Sequence, residues 1–299
     1  AHGRKHQWTV RSIAKLLWCK TLTDYHEDNI NYQVADMFLR NYWYVAAFGH
    51  EIGRNLLART ILGDKIVLYR TEDGSPIALA NRCCHRQAPL SMGRLIGDTV
   101  ECGYHGLIFD TSGECVRVPG QKKIPPGAKV HKYPVAERWR WIWIWMGDPT
   151  LADEAELIVD FPWNDDHENW PHFHDMYEVE CNYMLLIDNL MDLTHIPYIH
   201  RNTIGGGNQK GQVDASMDVT PRDTGVHYIR WMEGIVPPPT YVKGAGFKEG
   251  TLVDRWQEFE YVVPSTVVQW TGALEVGRGA KDNRKQSGGF NIRLYHGVT

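Results

Sequence analysis

Two short Cys/His motifs, Cys83-Cys84-His85 and Cys102-Gly103-Tyr104-His105, separated by residues 86–101, restrict this chain to folds that can bring two loop tips together around a metal centre. A Rieske-type 2Fe-2S centre needs two thiolates on one iron and two imidazoles on the other, so each loop must supply one ligand of each kind. The spacing meets that need, with Cys83, His85, Cys102 and His105 as the ligands. Gly103 and Gly106 let the second loop turn tightly and bring backbone amides near the sulfides, where donated hydrogen bonds raise the reduction potential. A Cys2His2 zinc site has the same ligand count. Zinc fingers, however, keep both cysteines in one motif and both histidines in the other. Cys84 occupies the spacer and reads as a small buried residue rather than a ligand.

A second constellation lies in the run Asp188-Asn189-Leu190-Met191-Asp192-Leu193-Thr194-His195-Ile196-Pro197-Tyr198-Ile199-His200. On a helix Asp192 and His195 share a face. His195 and His200 would splay by roughly 140° on an ideal helix, but Pro197 removes a backbone donor and is expected to bend or end the helix there, letting both imidazoles address one ion. Two histidines and a carboxylate on one face of an iron leave positions open for dioxygen and substrate, the arrangement of non-haem Fe(II) oxygenases. Alone this pattern is weak; downstream of a Rieske motif it gains weight, because a bare electron carrier has no use for it.

The rest of the chain frames these motifs. Of 299 residues 43% are hydrophobic, enough for one large or two ordinary domains, and the charges are evenly mixed. A net charge of −4 leaves no basic stripe, which argues against nucleic acid. No run approaches the roughly 18 apolar residues of a membrane span, and no leader pattern is visible at the N-terminus, so a cytoplasmic location is expected. Six cysteines are too sparse for a disulfide scaffold and suit reduced, metal-binding thiols.

Residues 1–36 are polar and aperiodic, apart from a short candidate docking helix at Ile13 to Trp18. Apolar and aromatic character begins abruptly at Met37, the expected natural start, so 1–36 read as an extension outside the core. From Ile61 the pattern is of short strands and turns: Lys65–Tyr69, Ile77–Ala80, Gly106–Phe109, Cys115–Val118 and, after a Pro/Gly loop, Trp139–Trp145. Gly147-Asp148-Pro149 and a weakly helical Leu151–Glu156 place a boundary near residue 150. The second half combines a helix from Tyr183 to about Leu193 with strands near His227–Trp231, Arg255–Val263, Thr266–Trp270 and Phe290–Leu294. The fold class is therefore α+β, with domains 37–150 and 151–299.

With Asn81-Arg82-Cys83-Cys84-His85-Arg86, Cys102-Gly103-Tyr104-His105-Gly106 and the stretch from Asn182-Tyr183 to His200, the sequence from Met37 to Thr299 resembles the Rieske non-haem iron aromatic oxygenases, and within them the oxygenase subunits of vanillate O-demethylase and dicamba monooxygenase. The resemblance implies a β-rich Rieske domain followed by a helix-grip catalytic domain. It implies that Cys83, His85, Cys102 and His105 hold the cluster and that His195 and His200 hold the catalytic iron. Asp192 matches the acid that bridges the cluster of one subunit to the iron of its neighbour in a homotrimer, and Asn189 an asparagine near that iron. The implied chemistry is O2-dependent hydroxylation or O-demethylation of a small aromatic acid. Electrons would come from NADH through a flavin and iron-sulfur reductase or a ferredoxin. In demethylation, hydroxylation of a methoxy carbon gives a hemiacetal that collapses to formaldehyde and a phenol.

The family's third iron ligand is an aspartate in a C-terminal helix, expected beyond Thr299, so the chain reads as a C-terminally incomplete fragment. Asp214, Asp218, Asp223, Asp254 and Asp282 read as solvated turn or loop residues instead. His167, His172 and His174 match no common ligand spacing and read as a polar loop. Trp141, Trp143 and Trp145 read as a packed strand face rather than a binding platform. Pocket residues are expected between Val213 and Trp270. The competing readings are a Rieske electron-transfer protein without catalytic iron, a zinc-stabilised module, and an oxygenase acting on an N-methyl compound or a sterol.

Overall fold

β-branched and aromatic residues recur between Gly, Asp and Pro turns throughout the first half, which accordingly folds as short antiparallel strands. The computed structural model describes residues 38–153, 159–206, 209–284 and 288–299. The expected extension 1–36, with its Ile13–Trp18 segment, and Met37 lie outside the described residues.

The strands of this half are β1 (Trp43–Phe48), β2 (Leu57–Ile61), β3 (Asp64–Arg70), β4 (Pro76–Ala80), β5 (Arg94–Ile96), β6 (Thr99–Glu101), β7 (Ile108–Phe109), β8 (Cys115–Arg117), β9 (Lys132–Tyr133), β10 (Val135–Arg138) and β11 (Trp141–Trp145). They form three sheets, ordered β1-β11-β10, β2-β3-β4-β9 and β5-β6-β7-β8. Between the last two sheets lies a core of Val67, Tyr69, Leu79, Leu90, Val100 and Phe109, into which Cys83 and Cys102 are also packed.

The strand expected over Trp139–Trp145 starts two residues later. Trp139 and Arg140 have φ of 57° and 60° and join Arg138 to its partner Trp141 as a two-residue hairpin turn; two successive positive φ values match the right-handed twist of the flanking strands. All five residues of β11 are buried, since it is the central strand. Trp141, Trp143 and Trp145 pack with Trp43, Ala136 and Tyr295, and Ile142 and Ile144 fill the opposite face.

The second half is built on a five-stranded antiparallel meander, β12 (Ser216–Arg222), β13 (Gly225–Ile235), β14 (Val253–Val262), β15 (Thr266–Glu275) and β16 (Phe290–Gly297). On one face Tyr228, Phe259 and Val267 pack against Ile187, Leu193 and Ile196, which belong to α1 (Tyr183–Met191), a 3₁₀ turn (Leu193–His195) and α2 (Ile196–Ile199). Two further helices, α3 (Gln209–Val213) and α4 (Pro239–Ala245), complete that side. The other face is aromatic and cationic. The Arg293 guanidinium lies 3.7 Å from the Trp163 ring centroid and 3.8 Å from that of Trp270, and removal from water pushes its pKa down to about 10.

Candidate metal centres

The two motif loops fold alike. Cys83 N–H donates to Ala88 O at 2.9 Å and Gln87 N–H to Cys83 O at 2.9 Å; Cys102 N–H donates to Leu107 O at 2.8 Å and Gly106 N–H to Cys102 O at 3.0 Å. The fifth residue of each loop takes a positive φ, 60° at Gln87 and 70° at Gly106, so each chain reverses over the same span. This repetition puts like donors together. Cys83 and Cys102 are each 2% exposed, while His85 and His105 are exposed with ring centroids 4.7 Å apart. Burial pushes the Cys83 thiol up to about 11, and the neighbouring Cys102 adds to that rise.

A thiol pair below and an imidazole pair above fits a two-iron cluster, whose irons take two protein ligands each. A single zinc ion would instead draw all four donors to one point at about 2.0–2.3 Å. Among the described residues no three His, Cys, Asp or Glu side chains converge on one point. Cys84 is half-buried and packs against the core beneath the loops.

At the second constellation the helix breaks earlier than expected. α1 ends at Met191, and Asp192 adopts an extended conformation (φ −96°, ψ 103°) as both the C-cap of α1 and the N-cap of the 3₁₀ turn. Its amide donates to Asp188 O at 2.9 Å, and its carboxylate accepts from Thr194 N–H at 2.8 Å. Asp192 and His195 therefore do not share a helix face. Pro197 lies in the first turn of α2, where its missing donor costs nothing, so it begins a helix rather than ending one.

The turn followed by α2 still brings His195 and His200 together, with ring centroids 5.3 Å apart. Gly205 closes the segment: its amide donates to His200 O at 2.9 Å, and a Cβ there would sit 2.1 Å from Ile196 O. No carboxylate among the described residues joins the two histidines. Asp254 is not the turn residue expected: it lies in β14 and accepts from Gly234 N–H at 3.0 Å, where the β13/β14 register shifts. Asn189 is exposed on α1.

Both constellations lie inside stretches that match known protein families. Residues 42–134 match the Rieske [2Fe-2S] domain, and residues 179–299 match the vanillate O-demethylase oxygenase C-terminal domain. The iron-sulfur subunit of the toluene-4-sulfonate monooxygenase system of Comamonas testosteroni is 41% identical over 83% of this chain and 71% of that protein. The chain belongs to the Rieske non-haem iron oxygenases. The oxygenase component of dicamba O-demethylase from Stenotrophomonas maltophilia is 38% identical over 80% of this chain and 69% of its own length. The crystal structure of dicamba monooxygenase bound to 3,6-dichlorosalicylic acid superposes with a TM-score of 0.75 at 35% identity, covering 87% of this chain and 73% of the other. As a Rieske oxygenase component, the chain is an oxidoreductase subunit that works with a 2Fe-2S cluster, mononuclear iron and a separate electron donor. No helix among its described residues is long and apolar enough to cross a membrane.

The range expected to line a pocket, Val213 to Trp270, carries buried polar side chains. On the face of the meander that packs against α1 and α2, Arg230, Arg255, Gln257 and Gln269 are all buried, and His296 Nε2 is buried without a partner. The signal was available as polar residues at strand positions whose alternation demands apolar ones, as in Tyr228-Ile229-Arg230 and Arg255-Trp256-Gln257. His167, His172 and His174 form a ladder of rings in the loop before α1, with neighbouring centroids 4.8 and 5.2 Å apart, and His174 Nε2 pairs with Asn164.

Proposed function

We propose that this chain is the oxygenase component of a multicomponent Rieske monooxygenase that hydroxylates or O-demethylates a small aromatic acid in the cytoplasm. The observation that carries the reading is the paired geometry of the first centre, a buried thiol pair below an exposed imidazole pair, upstream of a second histidine pair. In this reading Cys83 and Cys102 hold one iron of the cluster and His85 and His105 the other, within a domain of residues 37–150. His195 and His200 hold the mononuclear iron of the 151–299 domain, and Asn189 lies near it. The cluster supplies single electrons, and the mononuclear iron supplies O2 activation when bound.

The protein's own contribution is placement. Burial of the cysteines keeps water from the sulfur end, and exposure of His85 and His105 gives electrons a way in and out. Asp192, exposed three residues before His195, carries the hydrogen-bonded path from a neighbouring subunit's cluster in a homotrimer. A reductase or ferredoxin drawing on NADH is the electron donor. The relatives acting by name on vanillate, dicamba and toluene-4-sulfonate support an aromatic acid as substrate.

The test is anaerobic purification, iron and sulfide assay, and EPR after dithionite reduction. A Rieske signal with two sulfides per chain, and iron beyond two that disappears in H195A, is the expected result. Zinc without sulfide would end the oxygenase reading.

A further inference from the structure

The inner face of the meander holds two arginines that form no ion pair with a carboxylate among the described residues. Arg230 and Arg255 are 9% and 1% exposed, and the β13/β14 register sets Arg230 opposite Gln257 and Met232 opposite Arg255. The two arginines are thus diagonal neighbours on one face, within reach of each other's charge. Burial lowers the Arg230 pKa, and Arg255 lowers it further, while Tyr228 and Asp192 act the other way.

Their hydrogen-bond partners are all neutral. Arg230 donates to Gln257 Oε1 at 3.3 Å and to the Gln212 carbonyl. Arg255 Nε donates to Tyr241 OH at 3.2 Å, with the guanidinium 4.7 Å from that ring's centroid. Arg255 Nη1 is buried with no partner. Among the described residues neither arginine forms an ion pair with a carboxylate. A lone buried charge is destabilising, and two side by side are worse, so packing alone does not account for them.

Arg230 is also linked to the backbone of His200. The Gln212 side-chain amide donates to the carbonyls of Gly205 and Gly206, and Gly205 N–H donates to His200 O. Arg230, Gln212, Gly205 and His200 therefore form one hydrogen-bonded chain.

We propose that Arg230 and Arg255 are the anion anchor of the substrate pocket, taking the carboxylate or sulfonate of an aromatic acid. The assignment rests on the oxygenase reading for the identity of that pocket. Guanidinium forks pair with two oxygens at once, which fixes the orientation of the ring as well as its charge.

The test titrates the full chain with benzoate, benzenesulfonate and uncharged benzamide by calorimetry, alongside R230M, R255M and R255K. One or both anions should bind at least about tenfold more tightly than benzamide. Which anion prevails separates carboxylate from sulfonate. R230M and R255M should abolish the preference, and R255K should keep part of it. Equal affinity of the unmodified chain for all three compounds overturns the proposal even if a variant fails to fold, and so does a preference that survives in both methionine variants. The EPR signal of the same samples separates the two levels of the argument. A Rieske signal without anion preference sinks the anchor alone, whereas anion preference without cluster sinks the oxygenase reading and leaves the arginine pair as an anion site.

Discussion

The Asp192 carboxylate accepts a hydrogen bond from Thr194 N–H at 2.8 Å, so the acid proposed to bridge subunits is also the cap that ends one helical segment and starts the next. Two roles on one side chain can be separated by substitution. D192A loses cap and charge together, at about 1 kcal/mol of stability, and lets the turn carrying His195 fray. D192N keeps a capping oxygen and should melt within a degree or two of the parent, yet lose most turnover while both metal centres stay loaded. If D192N turned over like the parent, Asp192 would be a cap and nothing more.

On the proposed ligation, cysteine and histidine variants should fail differently. C83S or C102S removes a thiolate from a site 2% exposed and should abolish acid-labile sulfide. The double variant H85C/H105C keeps four ligands, so cluster should survive at a potential lowered towards the roughly −400 mV of all-cysteine ferredoxins. Potentiometry with EPR checks this; an unchanged potential would show that the exposed imidazoles are not ligands.

Gly205 packs where no side chain fits. A Cβ would lie 2.1 Å from Ile196 O and 2.9 Å from His200 O, so G205A must push the loop away from α2. The expected cost is about 1–3 kcal/mol, with iron lost from the mononuclear site and sulfide content unchanged. Metal analysis against the parent decides it, and equal loss of both would point to global unfolding instead.

His296 is expected to give the chain's stability an acid limb. Burial depresses its pKa, so the folded state takes up this proton later than the unfolded chain does. Stability from this residue is therefore complete above the unfolded value of about 6.5 and declines as pH falls below it towards the lower folded value. Urea midpoints measured at intervals between about pH 7.5 and 5.5 should fall, and H296Q should flatten that slope. An equal slope in the variant would assign the acid limb to other groups.

Both Cys/His and His/His groupings were legible from residue types and spacing, because side chains within one loop or one turn stay within reach of each other. Alternation likewise announced β13 to β16, although their ends ran further than the apolar pattern suggested. Local context misled at Pro197, which the sequence alone presents as a helix breaker and which proves to be a helix starter, because Asp192 had already broken the helix. Trp139 and Arg140 misled in the same way: two bulky residues at positive φ are hairpin residues here only because β10 and β11 pair around them.

What the sequence by itself determined was the family, the α+β character of the chain, and which six residues, Cys83, His85, Cys102, His105, His195 and His200, are proposed as ligands. Only the tertiary structure decided that the cysteines lie below and the histidines above, that His195 and His200 face each other, and that Arg230 and Arg255 share an interior face with no ion pair among the described residues. The physical reason is reach. Motif spacing is set within a single loop, whereas burial and charge pairing depend on strand register across β13 and β14 and on loops brought together from separate sheets.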